Sequence, residues 1–213
     1  KDFNGLKFMA AYTNLNASDV YGLTSSQAES NYQYMPRWDG ENLPAARTSF
    51  MNEHKFLATL DYTAQIFGDN DTRFSLVYIR KSGEPFSVVF DDAGWDSVNG
   101  PMFYSDQALA YIPSGADDPN VNFSDAATAA AVMAHVNSTD LASYKGTYAP
   151  RNAFTSPWYG RLDLRITQDI EVMDGHKVVV YLDMLNLLNM LDDESGIVQD
   201  YNYNTSRQIL VDG

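Results

Sequence analysis

The feature that most restricts this chain is a period of two. Five stretches of its 213 residues alternate apolar and polar side chains, and only a β-strand sends successive side chains to opposite faces. In residues 5–18, Leu6, Phe8, Ala10 and Tyr12 share a face against Lys7, Met9, Ala11 and Thr13. In 54–67, Phe56, Ala58, Leu60 and Tyr62 oppose Lys55, Leu57, Thr59, Asp61 and Thr63. In 73–81, Phe74, Leu76 and Tyr78 oppose Arg73, Ser75, Val77 and Lys81. The clearest alternation lies in 158–167, with Leu162, Leu164 and Ile166 against Arg161, Asp163, Arg165 and Thr167. In 176–187, Val178, Val180, Leu182 and Met184 form the apolar face, and Lys177, Tyr181 and Asp183 interrupt the other.

The connections have a pattern of their own. Gly68-Asp69-Asn70-Asp71 and Met173-Asp174-Gly175 are short polar turns, whereas residues 19–50 and 91–157 are long, irregular loops. Gly83 and Pro85 break the third segment, and 86–90 is read as a continuation of that strand. The second long loop holds one expected helix, 124–136, with Asp125 near its N-terminus where a side-chain oxygen can cap free amides. A loop of this length usually signals a functional surface element. Residues 188–213 read as a further loop with part of a sixth strand near 208–211.

Short turns alternating with long loops are the mark of an antiparallel up-and-down barrel, with short turns on one side of a membrane and long loops on the other. In such a barrel Asp61, Arg161, Asp163, Arg165 and Asp183, all in mid-strand, would line a wet lumen while the aliphatic face meets lipid. A soluble β protein also hides one face and solvates the other, so periodicity leaves both readings open. They differ in what covers Leu162, Leu164, Ile166, Val178, Val180 and Leu182.

Composition removes other classes. The 14 basic and 28 acidic residues give a net charge of −14, which repels nucleic acid. There is no cysteine, hence no disulfide framework or thiolate metal site. No stretch reaches the ~20 apolar residues of a spanning helix. The chain opens directly into a strand-like segment with no signal peptide, which is read as a processed precursor or a fragment. The 14 Tyr and 11 Phe favour strands. His54, His135 and His176 lack metal-ligand spacing, and no GxSxG, phosphate-cradling GK loop or dinucleotide fingerprint occurs, so no enzyme, metal or cofactor is expected. Asp91, Asp92, Asp96 and Asn99 miss the spacing of a calcium loop and read as a solvated acidic stretch. Among the loop aromatics, Tyr34, Trp38, Trp95 and Tyr104 are the candidate ligand contacts, since such rings give large contact area at low entropic cost.

Several strings then carry a resemblance. His54-Lys55-Phe56-Leu57-Ala58-Thr59-Leu60-Asp61-Tyr62 and Ser82-Gly83-Glu84-Pro85-Phe86-Ser87 are similar to two successive late strands of TonB-dependent receptors. Ala110-Tyr111-Ile112-Pro113-Ser114-Gly115 resembles the YIPSG segment of their Oar-like branch. Arg151-Asn152-Ala153, Ser156-Pro157-Trp158 and Arg161-Leu162-Asp163-Leu164-Arg165 match that branch's RN…PW…RLDLR strand. Leu182-Asp183-Met184-Leu185-Asn186-Leu187-Leu188-Asn189 resembles the penultimate strand.

The resemblance implies an outer-membrane transport protein, a barrel of about 22 strands plugged by an N-terminal domain. Residues 1–213 would be the C-terminal portion, its last five or six strands, with long extracellular loops and one short loop helix. The partners implied are the rest of the barrel and plug, the TonB complex reached through the missing N-terminal part, and outer-membrane lipid; the substrate stays open. The rival from another class is a secreted or surface β-rich binding or adhesion domain.

Overall fold

The computed structural model describes residues 2–3, 5–91, 107–199 and 206–210. In chain order the elements begin with β1 (Asp2–Phe3), β2 (Leu6–Asn14), β3 (Ser18–Asp19), α1 (Ala28–Gln33) and β4 (Ala46–Arg47). There follow β5 (His54–Phe67), β6 (Asn70–Lys81), β7 (Pro85–Asp91), β8 (Tyr111–Ile112) and α2 (Ala126–Ser138). The last are β9 (Thr147–Tyr148), β10 (Phe154–Thr155), β11 (Tyr159–Met173), β12 (His176–Met184), α3 (Leu187–Leu191) and β13 (Ser206–Leu210). The protein is all-β in class; among the described residues its sheets are predominantly antiparallel and none is closed on itself. The chain divides into two compact units: residues 1–15, 52–83 and 157–199, and residues 16–51, 84–156 and 200–213.

The first unit is a six-stranded antiparallel sheet in the order β1-β2-β5-β6-β11-β12. Its long strands have 9 to 15 residues, against a usual strand of about 5–6. All the expected alternating segments are present, β6 and β11 longer than expected and the first ending sooner, at Asn14. The β5–β6 and β11–β12 connections are tight. In the second, Gly175 takes φ +78, which a side chain would oppose, so Asp174-Gly175 can reverse the chain in two residues. The long excursions all leave from the opposite end of the strands, after Asn14 and Lys81.

The fifth strand stops at Met184 and not at 187. Asn186 sits in the left-handed region at φ 56, and Leu187–Leu191 turns into α3. Asn186 donates to the Gly196 carbonyl at 3.0 Å, and Asn189 donates to the carbonyls of Asp193 (3.2 Å) and Ser195 (3.1 Å). The two asparagines of the LNLLN string therefore clamp the loop that follows the strand.

Among the described residues, the buried apolar core lies in the second unit. Phe86, Val88, Ala110, Ile112, Val136 and Phe154 are buried together, with Val132 and Met133 of α2 packed against them. Each large side chain so buried contributes about 1.5–3 kcal/mol, enough for the excursion to be a folded body and not a loose loop. Helix α2 matches the expected helix with a shift of two residues, and Asp125 caps it by accepting from the Thr128 amide at 2.8 Å. Three expectations need correction. Among the described residues two further α-helices, α1 and α3, and a 3-10 turn at Asp140–Tyr144 accompany the one foreseen. Residues 85–91 do not continue β6; they form β7, paired antiparallel with β10. The last strand, Ser206–Leu210, pairs parallel with β7 and not with the six-stranded sheet, a direction that an up-and-down order does not contain.

Candidate functional site

Cross-strand register sorts the first unit's side chains into two faces, because directly opposed residues point the same way. On one face run the rows Leu6-Tyr62-Phe74-Ile166-Leu182, Phe8-Leu60-Leu76-Leu164-Met184, Ala10-Ala58-Tyr78-Leu162 and Tyr12-Phe56-Arg80-Gly160. These rows hold no acid and one base, Arg80. No hydrophobic residue of this unit is buried among the described residues; Phe8 is 52% exposed and Leu182 56%.

The other face is polar. One row reads Lys7-Asp61-Ser75-Arg165-Asp183, alternating in charge across the sheet. Within it the Ser75 hydroxyl donates to Asp61 at 2.6 Å, and the Arg165 guanidinium forks onto Asp183 at 2.5 and 2.7 Å. Two residues along β11, Arg161 meets Asp163 at 2.8 Å, and the same Asp163 accepts the Asn186 amide at 2.8 Å. The five charged residues expected on a common face thus share it. Sequence reading missed a further pair there, Arg73 with Asp169 at 2.8 Å, because it ended the strand at Thr167. Asp169 keeps the parity of Asp163 and Arg165, and that was the available signal.

Where the long excursions leave, the apolar face ends in an aromatic cluster. Tyr12 packs on Phe56 at 4.7 Å between ring centres and donates its hydroxyl to, or accepts from, His54 Nδ1 at 2.9 Å. Trp158 stacks on His54 at 5.9 Å and lies 6.3 Å from Phe56. Ser82 holds the strand end: it accepts from the His54 amide through its hydroxyl (3.1 Å) and from Asn52 through its carbonyl (2.8 Å).

The ligand contacts expected from the sequence are only partly brought together. Trp95 and Tyr104, with the acidic residues 92–99, lie outside the described residues. Trp38, 44% exposed, stacks in parallel on Tyr148 at 5.2 Å in the second unit. The two rings line a cleft of about 140 Å³ with Val20, Leu43, Leu109, Arg37 and Arg151. Tyr34 is exposed but is not among the cleft's walls. Tyr148 was missed, since 110 residues separate it from Trp38 and no local pattern links them. A mostly apolar cleft with two guanidiniums at its wall suits a small ligand group with an apolar body and an acidic or carbonyl edge.

The remaining strings do structural work in the second unit. Arg151 donates to the Asp19 carboxylate at 2.8 Å and to its carbonyl at 2.7 Å. Asp118 organises the YIPSG turn: its carboxylate accepts from the Ser114 amide (2.7 Å), the Ser114 hydroxyl (2.8 Å), the Tyr111 hydroxyl (3.1 Å) and the Asn120 amide (2.9 Å). These donors, the Ser114 amide foremost, hold the Asp118 carboxyl down at about 2. A depressed carboxylate stabilises the fold fully above its unfolded value of about 3.9, and the contribution fades as pH falls and is gone below about 2. Amide-exchange protection at Ser114 and Asn120 is therefore expected to hold at pH 5 and to be lost on acidification through that window. In Asp118→Asn the protection should be weaker at pH 5 and nearly independent of pH; an unchanged acid response in that variant would refute the role.

Among the described residues no group of three or more Asp, Glu or His side chains could hold a metal ion, and no helix is long and apolar enough to cross a membrane. No family model, curated protein or solved structure matches the chain.

Proposed function

We propose that this chain is part of the wall of an outer-membrane transport barrel of the TonB-dependent receptor type, in which the six-stranded sheet meets lipid on one face and a water-filled, plugged lumen on the other. The observation that carries the reading is the sheet itself: an acid-free aliphatic face and a charged face, with no apolar residue of that unit buried among the described residues. In water such a face would remain a large unfavourable surface, and patches of that kind mark an interaction with a membrane or another protein. Lipid favours the aliphatic side chains and forbids open sheet edges, so the edges of β1 and β12 are the places where the rest of the wall would pair. Strands of 9 to 15 residues meet the span of about 9–11 needed for a tilted crossing. The five charged residues of the polar face, Asp61, Arg161, Asp163, Arg165 and Asp183, then line the lumen. The Trp38–Tyr148 cleft becomes a candidate ligand contact in an external loop body.

The test is made on the intact protein. It should fractionate with outer membranes, require detergent for extraction, and migrate faster on a gel when unheated than when boiled. Recovery in aqueous buffer without detergent, as a folded particle, would overturn the reading and favour a soluble surface-binding domain.

A further inference from the structure

We infer that Arg80, seated in the aromatic cluster at the loop end of the apolar face, is a binding site for the phosphate of an outer-leaflet lipid headgroup. The inference rests on the barrel reading and adds a ligand to it. Arg80 is the sole Lys or Arg among the paired positions of that face, and it is exposed. Among the described residues it has no carboxylate partner; its guanidinium lies 5.6 Å from the centre of the Trp158 ring. Its row partners are Phe56 and Gly160, and Tyr12 follows Phe56 on the same row. Gly160 lies beside the guanidinium: a Cβ there would meet Arg80 Nη1 at 3.9 Å, an ordinary contact.

An arginine on a lipid-facing surface is costly at the bilayer centre and costs almost nothing at the interface. Arg80 therefore belongs at headgroup level, the same level that Tyr, Trp and Phe rings prefer. Its planar fork matches phosphate oxygens two at a time, while the rings beside it in the cluster give the acyl chains an apolar wall. Lys55 and Lys81 occupy the next row on the opposite face and add positive potential at this end of a chain of net charge −14. Glu53, just before β5, lies 3.7 Å from His54. A free anion would use the guanidinium but gain nothing from the rings, which is why the occupant is a lipid.

The experiment places the intact protein in phosphatidylcholine nanodiscs containing monophosphoryl lipid A or its dephosphorylated form, and measures retained lipid by native mass spectrometry. Wild type should retain the phosphorylated lipid in clear preference. Arg80→Gln, which removes the charge and the fork but keeps an amide donor, should lower that affinity roughly tenfold, and Arg80→Lys should fall between. Equal retention of the two lipids by wild type, a test that needs no variant, overturns the inference, as does equal retention by wild type and Arg80→Gln. Full competition by inorganic phosphate also overturns it, since a free-anion site would explain the binding. A protein that never inserts into the discs overturns the barrel reading along with it.

Discussion

Leu164→Arg is expected to destabilise the protein in a bilayer by about 2–4 kcal/mol, whereas Arg165→Leu, the very next residue, should cost markedly less. Leu164 stands in the row Phe8-Leu60-Leu76-Leu164-Met184, two rows from Tyr12-Phe56 and one from Tyr62-Phe74. Rows on one face are about 7 Å apart along the strands, so a cation at Leu164 would lie deep within the band between the aromatic ends. Its stem cannot reach water on the far side without bending the sheet. Arg165 points the other way and pairs with Asp183 while more than half exposed. Removing it leaves a solvated carboxylate, and exposed pairs are worth little. Denaturant titrations of refolding into lipid vesicles measure both variants, and the opposite ranking would refute the assignment of faces. Neither protein should fold in buffer without lipid or detergent.

The faces were legible because a period of two is a local property: one slip would have exchanged every aliphatic with a charge. Thus Asp61, Ser75, Arg165 and Asp183 could be placed on a common side from sequence, though not the register that sets them in a single row. What stayed hidden depends on distant partners. Leu185-Asn186-Leu187 looks like more of the strand that ends at Met184, and a short apolar run does not distinguish helix from strand. The decision is made by Asn186, which adopts a left-handed backbone and hands its side chain to the Gly196 carbonyl. Likewise Val88 and Val89 read as more of the preceding strand. Only the packing of Phe86 and Val88 against Ile112 and Phe154 shows that they belong to another core. The pairing of Trp38 with Tyr148 is of the same kind.

The second large effect is expected at Asn152, where Asn152→Ala should destabilise the second unit by about 3–5 kcal/mol. Asn152 is 1% exposed and has φ 56, a backbone region that asparagine tolerates and alanine does not. Its side-chain amide donates to the Arg47 carbonyl at 2.5 Å and to the Ser49 hydroxyl at 3.1 Å, and its side-chain oxygen accepts from Ser87 at 3.2 Å. Its own carbonyl accepts from Arg47 at 2.9 Å, and Arg47 also donates to Phe154 and Thr155. Asn152 thus ties its own segment to those around 47 and 87, and alanine would leave the part-buried Arg47 carbonyl and the Ser49 and Ser87 hydroxyls each short of one partner. Asn152→Gly separates the two causes, since glycine restores the left-handed backbone but not the hydrogen bonds. It should recover about 1 kcal/mol of the loss and no more. Hydrogen exchange across residues 84–90 and 107–156 reads the result: both variants should lose protection there while the strands of the first unit keep theirs. Full recovery by glycine would show that backbone strain, and not the hydrogen-bonded clasp, is what Asn152 supplies.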